Sequence, residues 1–239
     1  MKFPFLTDDE IELAAKRLLT DAFGGPDEAS TPVDLDVIVY DHLYDNEGVA
    51  FRDDLDLGSR DGDRILGRTE PLRRALYVDA QLKREGPEGR FRFTVAHEVG
   101  HWILHSQLYA QDEAQGSLFR ELGGRDDSLV SLQRNVFPAA GQGRLPPEEW
   151  QANRFAIALL LDSERLRAEF RSRIGVPYAT PSDVGSTGSV ERCRQLARSI
   201  AVRSVDGAPP LTDVFGLSAE AMAIALERRG YVRRTPTAL

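Results

Sequence analysis

The residues of this chain that could carry out chemistry are concentrated in one short segment. The sequence contains four histidines, and three of them, His97, His101 and His105, fall within nine residues, while His42 stands apart. From His97 the chain reads His-Glu-x-x-His. Side chains at positions i and i+4 of a helix lie on one face, so the first two imidazoles can bind one metal ion. The pattern predicts a zinc-type centre.

Glu98 follows the first histidine and has the position of a general base. Its carboxylate lies near such an ion without being directed at it, so it can take a proton from a bound water molecule. Zinc lowers the pKa of that water to about 7, which makes hydroxide available at neutral pH. The alternative to a metal site is a set of polar residues on an exposed helix surface. The apolar neighbours Val95, Val99 and Trp102 favour a buried helix instead.

Two histidines do not complete a zinc site, so a third ligand is needed. On a continuous helix His105 lies about 12 Å from His97, at 1.5 Å per residue, which is too far for one ion. We therefore interpret His105 as a group behind the ligands.

A later segment offers two carboxylates, Glu148 and Glu149. Glu149 shares a helix face with Asn153, which could hold it or bond nearby backbone, whereas Glu148 points about 100° away. Both glutamates also suit a helix N-terminus, where the macrodipole favours negative charge. Spacing alone therefore leaves the third ligand open.

Periodicity and turn residues predict the elements that position these side chains. Thr7 and Glu10 have the spacing of a capping box before a helix over 8–23. Short apolar runs between 47 and 80 predict a small, mostly antiparallel sheet of about three strands. The segment 106–147 is long for a connection, and part of it near 126–134 is expected to be helical. Further helices are predicted over 33–43, 90–105, 147–171 and 189–203, and over 211–232 with a turn at Gly216 and an N-cap at Ser218.

Composition and charge restrict the function class. The chain has 239 residues, of which 41% are hydrophobic and 28% charged, as in an ordinary globular protein. Its net charge of −8 speaks against a nucleic-acid-binding surface, although residues 186–239 hold eight arginines against five acidic residues. The single cysteine, Cys193, favours a reducing compartment. Without a long apolar run or a signal peptide, a cytoplasmic protein is expected.

Two segments carry motifs of a known peptidase family. Residues 92–105 read RFTVAHEVGHWILH, and residues 149–160 read EWQANRFAIALL. They resemble the ImmA/IrrE metallopeptidases, whose motifs read approximately F-T-x-A-H-E-x-G-H-x-x-x-H and E-x-x-A-N-x-F-A-x-x-L-L. The end of the chain, from Leu211, is also similar to the usual ending of this family.

The resemblance implies a function and a ligand set. It implies an α+β, mostly helical, zincin-like peptidase that cuts a regulatory protein, notably a helix-turn-helix repressor, and so relieves repression of stress or mobile-element genes. It implies that His97, His101 and Glu149 bind one Zn²⁺ and that Glu98 activates water. Manganese and iron remain open as the working metal.

Composition, which marks a Gly-, Pro- and Ser-rich linker, and the same resemblance together predict a domain organisation. We expect a peptidase domain over 1–174, a linker over 175–188 and a helical, helix-turn-helix-like segment over 189–239 packed on the peptidase domain. The connection 102–148 is longer than is usual in the family, which indicates an excursion near the cleft. Leu161 and Asp162 replace a common Met-Pro pair, so the helix over 147–171 is expected to run on.

Two other functions remain open. The chain could be a non-catalytic, metal-containing regulator that binds a repressor or an antitoxin. Alternatively, its C-terminal segment could bind DNA, but a helical pair packed on the catalytic domain explains that segment better. For the peptidase, we expect the substrate strand to pair with a sheet edge near 65–79. The candidate DNA-contacting residues are Arg228, Arg229, Arg233 and Arg234.

Overall fold

A computed structural model describes residues 4–25, 28–85, 88–115, 128–139, 143–181 and 190–233 of the chain. The fold is α+β and mostly helical, as predicted. The described α-helices are α1 (Asp8–Phe23), α2 (Asp45–Glu47), α3 (Ala80–Glu85), α4 (Glu88–Gln115), α5 (Gln133–Val136), α6 (Pro147–Leu160), α7 (Ser163–Ile174), α8 (Val190–Ala201), α9 (Leu211–Phe215) and α10 (Ala219–Arg228). The described strands are β1 (Ala50–Arg52), β2 (Ser59–Arg60), β3 (Asp63–Glu70), β4 (Ala75–Val78) and β5 (Leu129–Leu132).

Helix α1 begins where the sequence predicts it. The Thr7 hydroxyl accepts a hydrogen bond from the Glu10 backbone N–H over 3.3 Å, and the Thr7 backbone N–H donates to Glu10 Oε2 over 2.8 Å. The next predicted helix, over 33–43, is instead a wider π-helix over Val37–Tyr44 that leads directly into α2.

The sheet is larger and more mixed than the three strands that the sequence predicts. Strand β3 pairs antiparallel with β4 on one edge and with β5 on the other, while β4 also pairs in parallel with β1. Strand β2 forms a short hairpin with β3. Both β3 and β4 are therefore interior strands, and the predicted free edge near 65–79 is wrong. Among the described strands, β5 covers that edge.

The prediction for the long segment 106–147 was also wrong in part. Helix α4 continues ten residues past His105, and the stretch expected to be helical near 126–134 contains β5 followed by the short helix α5. Alternation explains the strand: Leu129 and Ser131 are buried, whereas Val130 between them is half-buried. Residues 116–127 and 140–142 lie outside the described part of this segment.

Helices α4 and α6 cross closely at the centre of the molecule. A Cβ on Gly100 would lie 3.0 Å from the Phe155 ring, so a larger residue there would require the Phe155 side chain to shift by a few tenths of an ångström. The single helix predicted over 147–171 is instead two helices: α6 ends at Leu160 and α7 begins at Ser163. Asp162 caps α7 by accepting a 2.6 Å hydrogen bond from the Arg165 N–H, which leaves Leu161 in an extended conformation.

The C-terminal helices pack against one another, and α10 also contacts α4. As predicted, Gly216 has a left-handed conformation after α9, and the Ser218 side chain caps α10. Buried Arg194 of α8 forms ion pairs with Glu220 and Glu227 of α10 and donates to the Pro138 carbonyl. The division of the chain at 174 and 188 stays a prediction, and residues 182–188 of the expected linker lie outside the described ranges.

None of the described helices is both long and apolar enough to cross a membrane.

Candidate metal centre

Helices α4 and α6 bring the three predicted metal ligands together. His97 and His101 lie one turn apart on α4, and Glu149 lies in the first turn of α6. His97 Nε2 is 3.4 Å from Glu149 Oε2, and His101 Nε2 is 3.4 Å from Glu149 Oε1. One ligand atom from each residue lies within 4.8 Å of the other two. Glu148, the other candidate, does not belong to this cluster.

The chemistry of these atoms fits a metal ion. Both histidines are fully buried and Glu149 is 3% exposed. Among the described residues, His97 Nε2, His101 Nε2 and Glu149 Oε2 have no hydrogen-bond partner. Buried polar atoms are rarely left unpaired, because each costs about 1–3 kcal/mol. Two nitrogens and a carboxylate oxygen that converge in this way form a ligand set typical of a zinc hydrolase.

Asn153 fixes the orientation of the His97 ring from behind. Its Oδ1 lies 3.2 Å from His97 Nδ1, and its Nδ2 donates over 2.7 Å to the Asn135 carbonyl. The second bond defines which end of the amide is the acceptor, so we assign the proton to His97 Nδ1. His97 Nε2 then carries the lone pair that a metal ion requires. The structure therefore places Asn153 against the predicted ligand His97 rather than against Glu149.

A longer hydrogen-bond chain lies behind His101. His105 Nδ1 is 3.1 Å from His101 Nδ1, and His105 Nε2 is 2.9 Å from Gln151 Oε1. Gln151 Nε2 in turn donates over 2.7 Å to the Pro4 carbonyl. Because Gln151 Oε1 can only accept, His105 carries its proton on Nε2 and accepts at Nδ1. His101 consequently donates through Nδ1 and leaves Nε2 free for a metal ion.

The pKa values of Glu149 and His105 agree with these protonation states, whereas at His101 burial is outweighed by Glu149, which raises the pKa of that ring. Burial raises the pKa of Glu149, but the adjacent His101 and His97 rings outweigh it and lower the value to about 2. Burial, reinforced by His101, lowers the pKa of His105 to about 3. At neutral pH Glu149 is therefore a carboxylate and His105 is a neutral ring, as its two hydrogen bonds require.

Glu98 lies between this helix pair and the sheet. It is fully buried, and Thr69 Oγ1 donates a 2.6 Å hydrogen bond to its Oε2 atom. A Cβ on Gly67 would lie 2.1 Å from Glu98 Oε1, so the carboxylate lies directly on the backbone of β3. Burial raises the pKa of Glu98, and the neighbouring histidines and the Ser131 and Thr69 hydroxyls oppose that rise.

Sequence reasoning missed several residues of this site. Gln151 stands two positions after Glu149, where the pattern drew attention only to Glu149 and Asn153. Thr69 and Ser131 approach Glu98 only because β3 and β5 pair across more than 60 residues of chain, and no local spacing reports such a pairing. The fourth histidine, His42, lies elsewhere, beside Asn46 and Glu47.

A cavity of about 490 Å³ does not include the candidate ligands. It is bounded by the π-helix, by residues near β1 and α3, and by one side of α4 at Phe91, Arg92 and Val95. None of His97, Glu98, His101 or Glu149 lines it, so the cavity and the candidate metal centre are separate features.

The fold and the site together define a class: an α+β chain with a buried His, His, Glu cluster and an adjacent carboxylate. Residues 54–142 match the family model described as Peptidase_M78, IrrE N-terminal-like domain. The matched range contains His97, Glu98 and His101, while Glu149 lies beyond it. This match agrees with the ImmA/IrrE resemblance that the motifs carry.

Comparison with individual proteins adds little. None of the curated proteins matches the chain significantly. A solved structure described as a Mycobacterium tuberculosis transcriptional regulator is similar, with 18% identity and a TM-score of 0.43. The similarity covers 90% of this chain and 45% of that one, so the chain spans less than half the length of that protein.

Proposed function

We propose that this protein is a zinc-dependent endopeptidase that cuts a regulatory protein, with a helix-turn-helix repressor as its expected substrate. The observation that carries the proposal is the convergence of three unpartnered ligand atoms, from His97, His101 and Glu149, beside the buried carboxylate of Glu98. The ImmA/IrrE resemblance supports the repressor as the substrate class. Cleavage of a repressor would release the genes that it silences.

The proposed roles follow from the positions of these side chains. His97, His101 and Glu149 would hold the zinc ion, which would supply Lewis-acid chemistry: polarisation of the scissile carbonyl and a water pKa of about 7. Glu98 takes a proton from the attacking water and passes it to the leaving amine as the peptide bond breaks. Asn153 and the His105–Gln151 pair hold the two histidine rings with their Nε2 atoms toward the ion.

The proposal is tested with Glu98→Gln, which keeps the size of the side chain but removes the base. We expect zinc content to be unchanged and cleavage to fall by about a hundredfold to ten-thousandfold, the usual contribution of a general base. The substrate to try is a helix-turn-helix repressor encoded beside this gene, followed over time on gels with and without a chelator. Cleavage by Glu98→Gln at the wild-type rate would contradict this mechanism.

One observation favours a second candidate, a non-catalytic regulator that holds a metal ion and binds a repressor or an antitoxin. Catalytic zinc sites keep one position open, whereas His97, Glu98 and His101 have no exposed surface. The gel assay separates the two candidates, because a regulator co-elutes stably with its partner and produces no fragments.

Contacts of the C-terminal arginines speak against the third candidate, direct DNA binding. Arg229 donates to the Ser163 hydroxyl and lies 3.4 Å from Glu12, and the Arg233 guanidinium lies over the Tyr178 ring. Arg234 lies outside the described residues. Arg229 is therefore half-buried and held away from phosphates, whereas Arg233 is exposed. A steep, salt-dependent shift of duplex DNA would favour DNA binding instead.

A further inference from the structure

Three residues on two strands surround the carboxylate of Glu98. Gly67 and Thr69 belong to β3, and Ser131 belongs to β5. Gly67 and Ser131 are opposite partners in the antiparallel register, and opposite residues place their side chains on the same face of the sheet. Thr69, two residues from Gly67, lies on that face as well. We call these three residues the Glu98 cradle.

The cradle contacts the two carboxylate oxygens unequally. Oε2 accepts the 2.6 Å hydrogen bond from Thr69, whose hydroxyl also lies 3.3 Å from the Glu98 carbonyl oxygen. Oε1 lies against Gly67 and has no hydrogen-bond partner among the described residues. One oxygen is thus anchored, while the other remains available to a proton.

Ser131 adds a second hydroxyl beside the same carboxylate. Its side chain is fully buried and near enough to the Glu98 carboxylate to oppose the rise in its pKa, yet Oγ forms no hydrogen bond of good geometry with a described residue. A buried hydroxyl without a partner is uncommon, and a water molecule is a frequent reason for one. Together with the free Oε1 atom, it marks a polar position next to Glu98.

We propose that Thr69 and Ser131 are positioning residues for the general base. Thr69 holds Oε2 so that Oε1 receives the proton, and Ser131 donates a hydrogen bond to the water from which that proton comes. The inference rests on the proposed peptidase function, and it gives β5, which lies in the long segment 106–147, a part in the reaction. Neither residue contacts the metal ligands' Nε2 or carboxylate atoms, so both should act on turnover and not on metal binding.

The test compares Thr69→Val, which keeps the side-chain shape and removes the hydroxyl, with Thr69→Ser, which restores a hydroxyl. Thr94→Val is the matched control, because Thr94 is also fully buried and its hydroxyl donates to the Arg90 carbonyl within α4. Each variant is loaded with zinc. We then measure metal affinity, kcat and KM on the cleaved substrate, and the Kd of a peptide hydroxamate, a zinc-binding group whose hydroxyl the base must hold.

For Thr69→Val we expect a loss of about tenfold to a hundredfold in kcat, the rate equivalent of a hydrogen bond to a charged group, with KM and metal affinity unchanged. The hydroxamate Kd should rise in parallel. Thr69→Ser should recover most of both losses, and Thr94→Val should show neither. Ser131→Ala should lower kcat by a smaller factor, about threefold to tenfold.

The outcomes distinguish this inference from the proposed function. Wild-type kcat and hydroxamate Kd in Thr69→Val overturn the inference while leaving the peptidase intact. Equal losses in Thr69→Val and Thr69→Ser also overturn it, since a packing defect would then explain both. A wild-type protein that binds zinc but neither cleaves nor binds the hydroxamate contradicts the peptidase itself, and the inference with it.

Discussion

The candidate site has two walls that contribute different things. The helix wall, α4 and α6, supplies the convergent ligand atoms of His97, His101 and Glu149 and the hydrogen-bond chains behind them. The strand wall, β3 and β5, supplies none of these ligands, yet its residues touch Glu98 directly. Holding the metal and orienting the base are therefore assigned to separate parts of the fold.

This separation has a physical consequence. A metal site needs lone pairs fixed in direction, which packed helices provide through side chains that bond one another over short distances. A base needs one oxygen held and the other free, which the strand provides by a hydroxyl on one side and a glycine backbone on the other. Damage to one wall should therefore change metal binding, and damage to the other should change turnover.

The largest effect is expected for Glu149→Ala on the helix wall. Removal of the carboxylate leaves two histidines, which do not complete a zinc site, so we expect bound zinc to fall from about one ion per chain to almost none at micromolar metal. Metal analysis after gel filtration measures this directly.

Glu148→Ala is the matched control, because this neighbouring glutamate lies on the same helical turn but outside the cluster. It should retain its zinc. If Glu148→Ala lost the metal and Glu149→Ala kept it, Glu149 would not be the third ligand. The helix wall would then not hold the metal in the way proposed.

A smaller effect on the same wall is expected for Gln151→Leu. Leucine cannot accept the hydrogen bond from His105 Nε2, so the hydrogen-bond chain that fixes the tautomer of His101 is weakened. Substitutions behind metal ligands typically lower metal affinity by about tenfold to a hundredfold. Loss of this buried hydrogen bond should also lower the free energy of unfolding by about 0.5–1.5 kcal/mol.

Competition with a chromogenic chelator gives the zinc affinity, and urea unfolding of the metal-free protein gives the stability. Gln133→Leu, at an exposed position of α5, should change neither quantity. Unchanged zinc affinity in Gln151→Leu would mean that the hydrogen bonds of His105 and Gln151 do not affect metal binding by His101.

The two walls also differ in how far the sequence predicts them. His97, Glu98 and His101 follow from helical spacing, and Glu149 follows from the family motif together with a shared helix face. Such patterns are local, so they can be recognised in the sequence without knowledge of the tertiary structure. The His105 prediction also depended on a local quantity, its distance from His97 along one helix.

Thr69 and Ser131 could not be found in this way. Their proximity to Glu98 depends on the pairing of β3 with β5, and the sequence analysis expected a helix where β5 lies. The alternation of Leu129, Val130 and Ser131 is only three residues long, too short to distinguish a strand from a helical turn. The same missing strand explains why the sheet was predicted with three strands and a free edge near 65–79.

The smallest effect is expected for Arg68→Ala, on the face of β3 opposite to the cradle. Arg68 Nε lies 3.1 Å from Glu70 Oε1, and its guanidinium lies 4.8 Å from the centre of the Tyr77 ring. A partly exposed ion pair contributes about 0–1 kcal/mol and a cation–π contact about 0.5–1 kcal/mol. We therefore expect the free energy of unfolding to fall by about 1 kcal/mol.

Zinc affinity and kcat should remain at their wild-type values in Arg68→Ala, although this residue is the immediate neighbour of both Gly67 and Thr69. Comparison of Arg68→Ala with Thr69→Val tests whether the strand wall affects turnover only through the face that carries the Glu98 cradle. A kcat loss in Arg68→Ala as large as that in Thr69→Val would show that any disturbance of β3 impairs turnover. The strand would then support the site as a whole, and the specific role of its hydroxyls would be lost.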